Sequence, residues 1–313
     1  MTSVITVPQS LDDFTFEQLA QQLAAVPADA RLLVDARHTT WASPYGLTAL
    51  LALAQSREVR PSFAPPESEA TVSYWARTGF FRHAESLYEF GRAVPRGRPG
   101  GESSVLLEIT PVTQAGDVHE VVGRIQERSH AILHEGLGLD STATIRFSMT
   151  LSEACQNIVE HAGRGGWVAV QTYTWKRRLG RRVVVISVCD AGIGFRKSLE
   201  SNSSRPRGDR WDDGMALEQA VLRNVSRFPD HGRGQGFAGI RKFLSRWSGK
   251  LAVRSGTARI ALVPEWDDDL ALREGLAPFP GAQVQITIPE AARATAGGSL
   301  ASGARSASPA GTR

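Results

Sequence analysis

The segment SEACQNIVEHA places Glu153, Asn157 and His161 four residues apart. On a helix that spacing sends all three side chains along one narrow stripe, drifting slightly around the axis with each turn. Leu151, Ala154, Cys155, Ile158, Val159 and Ala162 occupy the other side and can face a core. A polar stripe of this kind is ordinarily the solvated face of an amphipathic helix. The chemistry of the set allows more: a carboxylate to polarise a water or hydroxyl, a side-chain amide to give oxygen to a hard cation such as Mg²⁺, and an imidazole to approach a phosphate.

Two glycine patterns follow it. In VCDAGIGF a buried apolar strand runs to Asp190 and then to Gly192 and Gly194. Asp and Gly suit an ordinary strand-exit turn. They equally suit the wall of a ligand pocket, where glycine lets backbone pass close to a flat ring and the carboxylate accepts hydrogen bonds from it. In HGRGQGFAGIRKF, Gly232, Gly234 and Gly236 lead directly into a helix whose first turn carries Phe237. A helix start presents unpaired N–H groups and the positive end of its dipole, and binds phosphate without a side chain. The other reading is a glycine-rich connector. Each pattern alone is common by chance.

The elements that would position these residues divide the chain. RAVPRGRPGGESS at 92–104 has no periodicity and reads as a linker. Before it, residues 1–91 alternate strand and helix: RLLVDAR as a buried strand, YGLTALLALAQSR as a helix with apolar residues on one side, EVRPSFAPP as a strand and ATVSYWARTGFFR as a helix. That order implies a small α/β sheet. After it, residues 105–290 read as a strand, two helices, a hairpin with a basic turn, a polar lid over 196–231 with a short helix, another helix and three further strands. A mainly antiparallel sheet with helices on one face, an α+β sandwich, is the expectation. Residues 291–313 hold almost no large apolar side chain and should be disordered.

Composition narrows the function classes. With 42% hydrophobic and 22% charged residues in 313, two globular domains with proper cores are affordable. The longest apolar runs fall far short of the ~18 residues of a spanning helix, and the N-terminus shows no secretion signal, so a cytoplasmic protein is expected. Cys155 and Cys189 sit in apolar stretches without metal-ligand spacing and read as buried thiols. The net charge of +4 includes three arginines in the tail, so the folded part is close to neutral and nucleic acid is an unfavoured partner. The basic turn KRRLGRR is most simply solvated, and His119 reads as a surface residue.

The acid–amide helix, the Asp-x-Gly-x-Gly strand exit and the Gly-x-Gly-x-Gly helix start occur in one order within 105–290. In that combination the segment resembles the Bergerat-fold (GHKL, histidine-kinase-like) ATPases, the superfamily of DNA gyrase, MutL, sensor histidine kinases and anti-sigma-factor serine kinases. The resemblance implies ATP and Mg²⁺ as cofactors. Asn157 would help to hold Mg²⁺, and Glu153 would be the catalytic base. Asp190 would accept the adenine amine, with Gly192 and Gly194 beside the ring. His161, Gly232, Gly234, Gly236 and Phe237 would complete the ATP site. The family's last strand opens with Gly-Thr, whereas this chain has Gly281-Ala282, so the threonine contact to the adenine carboxylate is expected to be lost. LLVDARHTTWASPYGLTALLALA resembles the STAS domains of anti-sigma-factor antagonists. Tyr45 stands where switching members carry a phosphoacceptor serine. The resemblances together imply a regulator of anti-sigma-kinase type that phosphorylates or sequesters a protein partner, itself STAS-like or sigma-type. Alternatives are a nucleotide-gated binding module and a nucleic-acid-associated ATPase, and a homodimer is left open.

Overall fold

The computed structural model of the chain describes residues 2–91, 93–94, 105–129, 140–157, 162–163, 165–175, 179–200, 211–225 and 236–290. The first unit runs β1 (Ser3–Thr6), β2 (Ser10–Leu11), α1 (Phe16–Ala24), β3 (Leu32–Asp35), β4 (Trp41–Ala42), α2 (Pro44–Gln55), β5 (Ser62–Ala64), α3 (Glu69–Arg77), α4 (Phe80–Leu87) and β6 (Glu89–Phe90). Strands β1, β3, β5 and β6 pair in parallel in that order. Each parallel step requires a crossover, which the intervening helices supply. The expected single helix over ATVSYWARTGFFR is two, broken at Thr78–Gly79, where Gly79 adopts φ 81°.

The second unit runs β7 (Val105–Val112), α5 (Ala115–Ser129), α6 (Ser141–Asn157), β8 (Gly166–Trp175), β9 (Arg181–Asp190), α7 (Gly194–Leu199) and α8 (Asp213–Leu217), which continues as a π-helical turn over Glu218–Leu222. Then come α9 (Gly236–Arg246), β10 (Lys250–Gly256), β11 (Ala258–Leu262), β12 (Leu272–Arg273) and β13 (Phe279–Pro289). The strands form one sheet in the order β12-β11-β10-β13-β9-β8-β7, antiparallel at every pairing. The α+β architecture is thus as expected from sequence.

Strand alternation gives this sheet two unlike faces. Val184, Ile186 and Val188 of β9, with Val284, Ile286 and Ile288 of β13, join Phe147, Leu151, Ile240 and Phe243 of the covering helices α6 and α9 in one core. The opposite face presents Gln171, Ser187, Gln283, Gln285, Thr287, Lys250, Arg254 and Arg259, all buried. The first unit covers much of this face, while Lys250 is enclosed by Asp267 and Asp269 of the second unit itself. Helix α2 lies on β8, β9 and β13, and the first unit's core continues into Trp167, Ala169, Cys189 and Phe279 of the sheet.

Lying between two sheets, α2 is buried on all sides rather than one: every residue from Pro44 to Ala54 is buried. A helix apolar around its whole circumference requires such a place. Leu47, Leu50, Leu51 and Leu53 have no exposed surface, and each contributes about 1.5–3 kcal/mol relative to an exposed leucine. Ser43 starts the helix by accepting the Gly46 N–H at 3.1 Å, as a capping serine does.

Polar contacts join the same interface. The Thr48 and Ser187 hydroxyls lie 2.8 Å apart, and Thr48 also reaches the Cys189 sulfur at 3.2 Å. The Tyr74 hydroxyl donates to Gln171 Oε1 at 2.6 Å, and Trp167 Nε1 donates to Gln55 Oε1 at 2.8 Å. Arg254 forms a two-pronged pair with Glu17 of α1, at 2.7 and 3.1 Å. Its guanidinium also lies over the Phe16 and Phe279 rings, where the ring faces attract a cation.

Candidate functional site

Helix α6 ends at the site. Its inward face, Phe147, Leu151, Ala154 and Cys155, is buried, so Glu153 falls on the exposed side and Asn157 on a half-buried flank. Asn157 lines a narrow cavity together with Ala154, Asp190, Gly194, Phe195 and Ala282. Residues 33 apart along the chain therefore meet in one space. Its accessible volume of about 20 Å³ admits roughly one water, so a purine enters only if the wall moves. Phe195, partly buried, stands in that wall with its ring 5.8 Å from the buried Phe237.

Asp190 is the last residue of β9 and is 6% exposed. Burial pushes its carboxyl up to about 7, although the backbone N–H groups of Gly192 and Ala282 act to lower it. The Gly192 N–H donates to Oδ1 at 2.8 Å. No cation pairs with Asp190 among the described residues. A carboxyl titrating near neutrality, lining a cavity and lacking a counter-ion is the type of group that marks a functional site.

The glycines have separate reasons. A Cβ at Gly192 would overlap the Ala162 backbone just beyond α6, so the strand exit and the end of the helix approach as closely as backbone allows. Gly194 has φ +72° and Gly281 φ +76°, in the left-handed region that favours glycine. A Cβ at Gly281 would also collide with the Asp190 carboxylate. Ser255 of β10 ties these turns together: its hydroxyl donates to the Gly281 carbonyl at 2.7 Å and accepts the Phe195 N–H at 3.1 Å. Alanine at 282 brings no hydroxyl to Asp190, as expected, and its main-chain N–H takes up the carboxylate instead. That contact was not legible in the sequence, because any residue there supplies it.

Gly236 opens α9 against α6, and a Cβ on it would stand 2.8 Å from Glu153 Oε2. The acid of the helix stripe and the last glycine of the third motif therefore adjoin. His161, Gly232 and Gly234 lie outside the described residues, as do 201–210 and 226–231 of the expected lid. On the other side of the Gly192–Gly194 turn lies an open cleft of about 930 Å³, which reaches Ser56 of the first unit and carries Arg196, Lys197, Glu200 and Asp213. Asn157 and Asp190 are not in its lining.

For a nucleotide with Mg²⁺ the donor set is suitable in type. A buried carboxyl can accept from an exocyclic amine, and an amide oxygen is a hard ligand. No cluster of three or more His, Cys, Asp or Glu side chains able to hold a metal alone exists among the described residues. A cation here would thus take most of its ligands from phosphate and water, which is how Mg²⁺ is usually bound.

Neither cysteine is poised for chemistry: burial pushes both thiols up to about 12. His119 is exposed, with Nδ1 at 3.0 Å from the Ala115 carbonyl one turn back. No helix among the described residues is long and apolar enough to cross a membrane.

Residues 118–236 match the family model described as a histidine kinase-like ATPase domain. The match spans α5 to the start of α9 and so takes in Glu153, Asn157 and the Asp190–Gly194 turn. It supports a domain of that family, with an ATP-binding role, in the second unit. No curated protein matches the chain significantly. No solved structure does so either.

Proposed function

We propose that the second unit binds ATP with its adenine in the cavity shared by Asn157 and Asp190, and that the chain is a regulator of anti-sigma-factor serine kinase type. The observation that carries this reading is the convergence of those two side chains on one space, beside a neutral-range carboxyl. Asp190 accepts the adenine amine, and Gly192 and Gly194 keep Cβ atoms away from the ring. Asn157 is the residue to hold Mg²⁺, which offsets phosphate charge when bound. On this reading His161, Gly232, Gly234 and Gly236 are the residues assigned to the phosphates, and Phe237 completes the ATP site. Glu153, exposed beside Gly236, takes the proton of an incoming serine or threonine hydroxyl. The hydroxyl oxygen then forms the new bond to the γ-phosphorus as the bridging oxygen leaves with ADP.

The acceptor belongs to a separate protein on this reading. Within residues 1–91, read here as a STAS-like domain, Tyr45 occupies the acceptor position. It is 2% exposed, packed edge-on against Phe16 at 5.7 Å, and its hydroxyl has no hydrogen-bond partner among the described residues. Burial of that kind supports transfer to, or sequestration of, a partner in trans. The narrowness of the cavity favours one second reading, a nucleotide-gated binding module in which opening around ATP alters partner affinity with little turnover.

Incubation of the full chain with γ-labelled ATP, Mg²⁺ and candidate STAS-like proteins tests the kinase reading. Label on a partner, abolished by Glu153→Ala while ATP binding persists, is the expected result. Free phosphate alone would make the chain a hydrolase, and ATP binding without either product would leave the gated module.

A further inference from the structure

At the seam between the two units lies a second cleft, of about 270 Å³, on the polar face of the large sheet. It shares no lining residue with the cavity of Asn157 and Asp190. Aromatic rings form its walls. Trp41 of β4 meets Tyr173 of β8 at 5.8 Å and 67°, and Trp175, two residues further along β8, meets Trp266 at 5.9 Å and 70°. Such steeply angled rings leave a corner rather than a flat stack.

Its charged lining is mostly acidic. Asp13 is committed to Arg259 at 2.7 Å, and Asp267 to Lys250 at 3.0 Å. Asp12 differs. Its Oδ1 accepts the N–H groups of Phe14 and Thr15 and the Thr15 hydroxyl, at 3.0, 2.9 and 3.0 Å, but no cation pairs with it among the described residues. Its charge is therefore the uncompensated one in the lining.

The floor adds an independent observation. Gln285 of β13 lines the cleft and is 6% exposed. Two residues along, Thr287 pairs in register with Lys250 and Val185, both lining residues, and its buried hydroxyl has no partner among the described residues. A buried hydroxyl is nearly always satisfied. Gln171 Nε2 and Gln283 Oε1 of the same face are likewise buried without a partner among the described residues; of these glutamines and Gln285, Gln285 is the one that lines the cleft.

The chemistry selects a ligand class. Ring faces attract cations, and a carboxylate without a counter-ion adds to that attraction. An anion would meet an acid excess. An inorganic divalent ion would need a cage of oxygens in place of indole walls. We infer that this cleft binds a small organic cation, a primary amine or quaternary ammonium bearing a hydroxyl or carbonyl group. The cation sits between the rings and Asp12, and the polar group reaches Gln285. Because Asp12 and Trp41 belong to the first unit and Tyr173 and Gln285 to the sheet, occupancy favours the docked arrangement of the two.

Titration of the full chain with choline and with ethanolamine, followed by tryptophan fluorescence, is the test. The control is 3,3-dimethyl-1-butanol, which has the shape of choline without its charge. Saturable binding of at least one cation with a raised melting temperature, and none of the control, is expected. Asp12→Asn keeps the Oδ1 acceptor that orders Phe14 and Thr15, so it should fold and bind about tenfold or more weakly, a change of roughly 1.4 kcal/mol or more. Gln285→Leu removes the floor amide and should weaken choline while sparing folding. No saturation by either cation in the millimolar range, equal binding of the uncharged control, or unchanged affinity in folded Asp12→Asn would each overturn the inference.

Discussion

Two buried aspartates, on opposite sides of one sheet, have opposite chemistry. Asp190, at the end of β9 toward the helices, is raised to about 7 by burial. Asp269 lies over the other side, with a fully buried side chain, in contact with Lys250 at 2.8 Å, Arg259 at 2.7 Å and Arg273 at 3.2 Å. Burial pushes its carboxyl upward too, yet the Lys250 and Arg259 cations outweigh that and hold it at about 2. A carboxylate enclosed by cations is bound to the structure at every ordinary pH. A carboxyl given backbone N–H groups and a cavity, but no cation, keeps its strongest interaction for something that arrives. The apolar face, on this account, carries the nucleotide chemistry, and the polar face carries the docking of the first unit.

The largest effect should come from breaking the docking side. Glu17→Ala leaves Arg254, 1% exposed, without its acid, and removing one partner of a buried pair typically costs about 3–5 kcal/mol. Denaturant unfolding should show that loss, whereas replacing both residues by apolar ones of similar volume should recover most of it. If Glu17→Ala were as stable as the parent, the paired face would not be structural.

Next comes the ligand side. Asp190→Asn removes the charge while keeping the shape, and should cost about 1.5–3 kcal/mol of nucleotide binding, roughly 10- to 150-fold in affinity. Because folding itself favours the protonated acid here, the variant should be no less stable than the parent near neutral pH. Loss of stability with unchanged calorimetric affinity would reverse the roles assigned to the two faces.

Thr48→Val is the smallest. It removes the hydroxyl shared with Ser187 and should cost about 1 kcal/mol, read as a lowered melting temperature with nucleotide affinity unchanged. Altered ATP affinity in that variant would show instead that the faces communicate through β9.

The sequence carried the two faces unequally. In AQVQITIP the alternation specified a strand and its core residues, Val284, Ile286 and Ile288. Gln283, Gln285 and Thr287 read equally well as a solvated face, and only tertiary packing buries them. The Asp-x-Gly-x-Gly exit was legible because carboxylate and glycine types state their chemistry locally. The weakened acidity of Asp190 was not, since it depends on residues from α6, β10 and β13 closing around it. The short strand SVIT and helix α1 passed unremarked in the sequence, yet α1 carries Glu17, the partner of Arg254. Long-range pairs of that sort leave no trace in local spacing. GLTALLALA was legible as a helix apolar on one side; the packing that buries its other side as well was not.

The most direct test of the nucleotide assignment is calorimetric titration of Mg²⁺-ATP at pH 6 and pH 8, in the parent chain and in Asp190→Asn. With the carboxyl at about 7 and its ionised form as the stronger acceptor, affinity should rise with pH by up to about tenfold per unit below that value. The variant cancels the titration of the phosphates themselves, so the gain should be larger in the parent than in Asp190→Asn. Equal pH dependence in the two proteins would contradict the placement of adenine against Asp190.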